Sequence, residues 1–153
     1  MMTIKTAIEY LNNNATDEVF WLGQVDIEQI DLLENNLGIK LPHDFREFLL
    51  LVGGGGVIGE EISGIVDNNA LEESGGAVFY DTIYFRNEFS LPENYAVIYL
   101  KDDEVCWCID SGGEDFGRVV NYDLFSKNTT NIISPSFSEF FDNYVKLRTC
   151  LVA

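Results

Sequence analysis

Between residues 26 and 56 the chain carries its most restrictive instruction: two amphipathic helices in succession, each with its own stop signal. Ile27, Ile30, Leu33 and Leu37 recur at helical spacing and give the first helix a buried stripe. Asp26 precedes the stripe as a capping residue, with Gln29 three residues on, as in a capping box. Gly38 follows at the position where a left-handed residue closes a helix. Pro42 opens the second helix, because its fixed φ suits the first helical position. Phe45, Phe48, Leu49 and Val52 face inward, Gly53 stops the helix, and Gly53 to Gly56 read as a flexible joint.

The flanking elements are less sharply marked. Ile4, Ala7, Ile8 and Leu11 predict a short helix over 3–13, ended by Asn12 to Asn14. Val19 to Leu22 form a brief apolar segment, a strand or a lid on the core. Ile62, Gly64, Ile65 and Val66 predict the first strand of the sheet, closed by Asp67-Asn68-Asn69, and a polar, mobile loop runs from Glu72 to Gly76. Residues 77–89 read two ways: their aromatic content favours a strand, whereas the spacing of Val78, Thr82, Phe85 and Phe89 allows a helix. After a turn at Pro92 and Asn94, strands are expected over 95–100, 104–110 and 118–123. Lys101-Asp102-Asp103 turns the first pair, and an acidic loop from Gly112 to Gly117 joins the second. Residues 130–134 add an edge strand. A last helix over 136–148 is capped by Ser136 and striped by Phe137, Phe140, Phe141, Tyr144 and Val145. Helices, then strands, then a helix describe an α+β fold with an antiparallel sheet. No repeat, linker or second domain is visible, so residues 1–153 are expected to form one domain.

Charge bears on function. The 153 residues include 26 acids and 9 bases, a net charge of −17, with 46% hydrophobic residues, ample for a packed interior. Residues 51–115 hold 14 of the acids and only 2 bases, whereas residues 116–153 hold 4 bases and 3 acids. Such a field repels phosphate backbones, which argues against nucleic-acid binding. It attracts basic partners and speeds encounter with them, although acidity can equally serve only to keep a protein dissolved. Three cysteines, Cys106, Cys108 and Cys150, do not suggest a disulfide framework. The N-terminus has no apolar core of a signal peptide, and no apolar run approaches the roughly 18 residues of a membrane helix, so the cytoplasm and no membrane partner are expected. Asn128-Thr129-Thr130 fits the glycosylation pattern, a chance match without export.

The sequence motifs weigh against catalysis. Gly54 to Gly59 matches G-x-G-x-x-G, yet the dinucleotide motif needs a strand before and a helix after, the reverse of the order expected here, so no cofactor is expected. Cys106 and Cys108 fall on one strand face with Trp107 on the other, which suits small core residues better than a metal site with one histidine, His43, in the chain. Acid pairs at Glu60-Glu61, Glu72-Glu73, Asp102-Asp103-Glu104 and Glu114-Asp115 suit acid–base or calcium chemistry in principle, but none has EF-hand spacing and all fall in loops. There is no nucleophile elbow and no P-loop.

Taken together, Ile30, Leu33-Glu34, Leu37-Gly38, Leu41-Pro42, Asp44-Phe45-Arg46 and Phe48-Leu49, followed by Gly53 to Gly56, resemble the opening signature of the SUKH superfamily. That group is named partly for a fungal regulator of cell-wall assembly. Leu91 to Asn94, the hairpin from Asp102 to Asp110, and Phe137 to Phe141 resemble later parts of the same pattern, so the likeness spans about residues 26–147. The resemblance implies an antiparallel sheet flanked by N-terminal helices, a middle helix and a C-terminal helix. It tips residues 77–89 toward helix. It also implies a bacterial immunity protein, antitoxin-like, that neutralises a protein toxin, often a nuclease, by stoichiometric binding and not by catalysis. The alternative within the group is an intracellular regulator or scaffold of the cell-wall assembly type, and outside it a small enzyme using paired carboxylates.

A basic nuclease-type toxin is the expected partner, because an acidic protein can occupy its phosphate-binding surface. The candidate contacts are Glu60, Glu61, Asp67, Glu72 and Glu73 from one region, and Asp102, Asp103, Glu104, Glu114 and Asp115 from the hairpin side. Tyr80, Tyr84 and Tyr99 are the candidate aromatic anchors. The chain itself is expected to be a monomer or a weak homodimer.

Overall fold

The structure, a computed structural model, describes residues 1–149. Five α-helices span Ile4–Asn14 (α1), Ile27–Leu37 (α2), His43–Val52 (α3), Val78–Phe89 (α4) and Phe137–Arg148 (α5). Strands span Val19–Trp21 (β1), Gly55–Val57 (β2), Tyr95–Leu100 (β3), Val105–Asp110 (β4), Val119–Asp123 (β5) and Asn128–Ser134 (β6). β3 to β6 form an antiparallel meander in chain order, and β1 pairs with β2 in a separate antiparallel ribbon. This is the expected α+β fold, with helices flanking the sheet.

Both faces of the meander are covered over β3 to β5, whereas β6 is exposed along most of its length. Ala96, Ile98, Ile109 and Val119 face the larger core, shared with α1, α2, α3 and α5. At its centre Phe45, Phe48, Phe137 and Phe141 interlock, with ring centroids 4.9 Å apart for Phe45–Phe137 and 5.1 Å for both Phe48–Phe137 and Phe48–Phe141. Edge-on aromatic pairs of this kind add roughly 0.5–1.5 kcal/mol each beyond the area they bury. Tyr95, Val97, Cys106, Cys108, Val120 and Tyr122 face the opposite way, where Phe85 and Phe89 of α4 cover them. Cys106 and Cys108 are therefore core side chains, with sulfurs 3.7 Å apart, and Trp107 packs on the other face against Phe140.

The ambiguous segment 77–89 is helix α4. Its aromatic content loses to tertiary packing: Val78, Thr82 and Phe85 turn inward, and the Thr82 hydroxyl accepts a 2.9 Å hydrogen bond from the Val97 amide. Thr3 and Ser136 cap α1 and α5 through side-chain bonds to the amides of Thr6 and Glu139.

Four local expectations are corrected. Asp26 precedes α2 but does not cap it. Its carboxylate accepts from Asn68 Nδ2 at 2.9 Å, and Gln29 Oε1 accepts from the Ala70 amide at 2.8 Å, so the supposed capping box ties the 66–70 turn to the helix. Ile27, at the first turn, lies beyond the core and is 50% exposed. Pro42 sits one residue before α3, whose first helical residue is His43. Gly53 to Gly56 form no flexible joint: all four are buried, and β2 begins at Gly55.

The expected strand at 62–66 is absent for an instructive reason. Ile62 to Ile65 are buried and extended, but their backbone bonds go to four different neighbours. Ile62 exchanges bonds with Gly55, the Ser63 amide donates to Ile98, the Gly64 amide to Gly76, and the Ile65 amide to Gly53. The Gly64 carbonyl in turn accepts from the Val78 amide. No single partner strand runs alongside, so no ladder forms.

The signature polar residues hold this scaffold. Glu34 is buried; it accepts the Leu41 amide at 2.7 Å and pairs with Arg46 at 2.7 Å, while Arg46 also reaches Asp31 at 3.1 Å. That clamp fixes the corner between α2 and α3. Asp44 accepts from the amide and hydroxyl of Ser138, tying the start of α3 to the start of α5. Asp110, also buried, accepts from Asn94, the Gly112 amide and Arg118.

The backbone crossing yields a contrast between two glycines. A Cβ on Gly64 would strike the Gly53 carbonyl oxygen, whereas a Cβ on Gly75 would meet nothing within 4 Å. Gly64→Ala is expected to destabilise the protein by about 3 kcal/mol, the scale of overpacking in a core that cannot yield. Gly75→Ala should stay within about 0.5 kcal/mol. Urea unfolding of the two variants measures both; equal midpoints would contradict the crossing.

Candidate protein-binding surface

Five of the nine bases are committed inside the protein. Arg46, Arg86, Arg118, Lys146 and Arg148 pair with Asp31 and Glu34, Glu93, Asp110 and Asp115, Asp142, and Glu60 respectively. Among the described residues, no salt bridge reaches Glu61, Asp67, Glu72, Glu73, Asp102, Asp103, Glu104 or Glu114. Those eight acids lie in the loops between α3 and α4 and at the two ends of β4, while further acids outside any salt bridge, such as Glu9, Glu28, Glu47, Glu88 and Glu139, lie on the helices.

A cleft of about 430 Å³ opens between the β1–β2 ribbon, the 59–63 turn, the Gly75–Gly76 loop and the end of β3. Its polar rim is Glu60 and Glu61, and its apolar walls include Phe20, Leu22, Ile62, Val66, Tyr99 and Leu100. Phe20 and Leu100 are 58% and 44% exposed, so two apolar side chains of the cleft face solvent.

The rim is held rigidly from below. The Tyr144 hydroxyl donates to the Glu60 carbonyl at 2.8 Å and accepts from the Val57 amide at 3.0 Å. Burial pushes its phenol up to about 12, so this donor persists at physiological pH. The Arg148 guanidinium lies 3.7 Å over the Tyr144 ring and bonds Glu60 Oε2 at 3.1 Å. Glu61 Oε1 accepts from the Gly59 amide at 3.0 Å, which fixes the carboxylate beside the cleft.

The sequence-derived candidates divide by position. Glu60 and Glu61 line the cleft. Asp67 sits exposed on a one-turn 3-10 helix with left-handed φ of 55°. Glu72 and Glu73 lie in the next turn, with the Glu72 carboxylate accepting from Asn69. Tyr80 and Tyr84 stand one helical turn apart on the open face of α4, 41% and 45% exposed. Tyr99 is only 7% exposed: its ring packs on Trp107 at 5.1 Å, and its hydroxyl end lies beside Arg148, Glu60 and Glu61. Asp102, Asp103 and Glu104 occupy the β3–β4 turn, where Asp102 accepts the amides of Glu104 and Val105. Glu114 and Asp115 lie at the far end of β4, a six-residue strand away, or about 20 Å. Asp115 there pairs with Arg118. One face cannot easily present both acidic turns.

Sequence reasoning gave Phe20, Leu100, Tyr144 and Arg148 no part in a site, reading Tyr144 only as a core residue of the last helix. Phe20 and Leu100 sit in apolar runs that look like core, and Tyr144 and Arg148 reach the rim across more than eighty residues of chain. Gly54 to Gly59 follow a helix and contain a strand, with no helix behind them, so the dinucleotide geometry is not formed. Among the described residues there is no cluster of three or more histidine, cysteine or acidic side chains able to hold a metal, and no helix long and apolar enough to cross a membrane.

These features define a class: an α+β domain with an antiparallel sheet between helices and a preorganised acidic cleft at one end. Residues 4–146 match the family model SUKH_5, described as SMI1-KNR4 cell-wall, and the chain belongs to that family. A protein from Pseudomonas syringae pv. tomato, known from its crystal structure, is similar in fold: the TM-score is 0.61 at 23% identity, over 83% of this chain and 86% of that one.

One buried acid beside the cleft reports on its integrity. Asp81, at the first turn of α4, is buried and accepts the Gly76 amide at 3.1 Å. Burial pushes its carboxyl up, the Gly76 bond opposing only in part. A folded-state pKa above the unfolded value means that this group's stabilisation is complete below the ordinary carboxylate range and is lost as pH rises through the elevated value. Asp81→Asn keeps an acceptor for Gly76 and removes that dependence. Between about pH 4 and 7 the variant's urea midpoint should gain on the wild type as pH rises. A constant difference across the range would remove Asp81 from the account.

Proposed function

We propose that this chain is an immunity protein, a cytoplasmic one-domain binder that neutralises a basic protein toxin, of the nuclease type, by stoichiometric binding. One observation carries the reading: a cleft edged by exposed apolar side chains has Glu61 at its rim without a cation, and the loops that adjoin it carry Asp67, Glu72 and Glu73, also without one. A surface of that make-up attracts a basic partner and offers it a desolvated centre. Membership of the SUKH family, whose domains are protein-binding immunity and regulatory modules, supports it. Binding alone accounts for the features present, and no group is assigned a catalytic role. The contacts we assign are Glu60, Glu61, Asp67, Glu72 and Glu73, with Tyr80 and Tyr84 on the adjoining helix. Asp102, Asp103 and Glu104 adjoin the cleft through Leu100, while Glu114 and Asp115 act at long range on encounter. Tyr99 contributes only its hydroxyl end.

The family description as cell-wall favours a second reading, an intracellular regulator or scaffold that binds host proteins and no toxin.

Affinity capture from the source cell's lysate, followed by co-expression of the captured protein, separates the two. The immunity reading expects one basic protein near one-to-one, released by high salt, whose toxicity to the cell disappears when this chain is co-expressed. Charge reversal at Glu61, Asp67, Glu72 and Glu73 together should slow association by about tenfold or more at low salt. Capture of housekeeping proteins with no toxic member would leave the regulator reading standing instead.

A further inference from the structure

We infer that the cleft beside β1 and β2 receives a single cationic side chain, an arginine or a lysine presented by the partner protein, with Glu61 as its counter-ion. The inference rests on the binding reading above and names the chemistry of one contact within it.

Charge counting at the cleft sets the occupant's sign and number. Glu60 and Glu61 line it, and Arg148 reaches Glu60 at 3.1 Å. Glu61 has a backbone partner in Gly59, but among the described residues no cation pairs with it. One negative charge is left at the rim of a walled space, which calls for one positive charge. The walls set the rest of the side chain. Phe20 and Leu100 stand exposed on either side of the opening, so a small polar cation would leave them wet, and an aliphatic side chain would leave Glu61 without a counter-ion. The long apolar stem and charged head of arginine or lysine satisfy both. The volume of about 430 Å³ lies in the lower part of the ~300–1,000 Å³ range of ligand-taking clefts, enough for a side chain and too small for a helix. Tyr144 and Arg148 hold the 57–61 turn in place before the partner arrives, so little ordering is required on binding.

The test uses the full chain, labelled with nitrogen-15, and two small probes: N-acetyl-arginine methylamide and the uncharged N-acetyl-norleucine methylamide. The arginine probe should shift the amides of Gly59, Glu61, Ser63, Gly75 and Gly76 saturably, and the norleucine probe should not. Glu61→Gln should weaken the arginine titration about fivefold, the upper range for an exposed ion pair. Phe20→Ser, at an exposed wall position, should weaken it as well while the fold survives. Equal titration by norleucine, shifts confined to the β3–β4 and β4–β5 turns, or an unchanged Glu61→Gln titration would each overturn the inference. Saturable arginine binding at the cleft without any captured toxin would remove the proposed function and leave the cation site. A captured partner whose affinity ignores Glu61→Gln would do the reverse.

Discussion

Four residues of buried chain, Ile62 to Ile65, join the parts of this molecule that sequence order keeps apart. Their backbone groups bond to Gly55, Ile98, Gly76 and Gly53 in turn, linking the ribbon, the main sheet, the loop before α4 and the end of α3. Such a crossing needs backbones closer than side chains allow, so glycine stands at both Gly54 and Gly64 where the two stretches of chain meet, and a Cβ on Gly53 would strike the Gly23 carbonyl. The same crossing places the acidic 59–61 turn over α5, where Tyr144 and Arg148 seize it. The candidate binding surface is thus held both by how the core closes, through Tyr144 on the Glu60 carbonyl, and by the loop's own Glu60 and Glu61 side chains.

Local signals served well where the element's partner was its own neighbour. Gly38 and Gly53 end their helices in the left-handed conformation, and the hydroxyl oxygens of Thr3 and Ser136 cap theirs by accepting the amides of Thr6 and Glu139. The meander was equally readable, because its strands pair in chain order and the alternation of Cys106, Trp107 and Cys108 follows directly from the pleat. Signals failed where a distant group intervened. Asp26 and Gln29 have the spacing of a cap box, yet Asn68 and Ala70 claim them from some forty residues away. Ile62 to Val66 have strand composition, but the fold gives them four partners where a strand needs one. The glycine run looks loose in isolation and is among the most tightly enclosed backbone in the molecule.

The candidate site was half legible for the same reason. Acid-rich loops are visible in any sequence, and the resemblance to the SUKH pattern raised binding above catalysis before any geometry was known. Which acids share a face was not visible, because the two acidic turns of β4 look adjacent in sequence and stand at opposite ends of a strand. Nor does composition distinguish Glu60, held by Arg148, from Glu61, which has no cation. That distinction comes from α5, and it decides how a partner would meet the surface.

Charge in this protein falls into two energetically separate populations. Glu34, Asp44, Asp110 and Asp142 are wholly or partly buried and take two or more hydrogen bonds or ion pairs each. Removing one partner of such a pair strands the other in a low-dielectric interior, a penalty of several kcal/mol. The acids at 61, 67, 72, 73 and 102–104 are bonded, where at all, to local amides and nearby side chains, and a surface substitution there disturbs stability by about 0.5 kcal/mol or less. The scaffold is consequently indifferent to the pattern of its loop charges. A chain built this way can alter the charge its loops present without renegotiating its core.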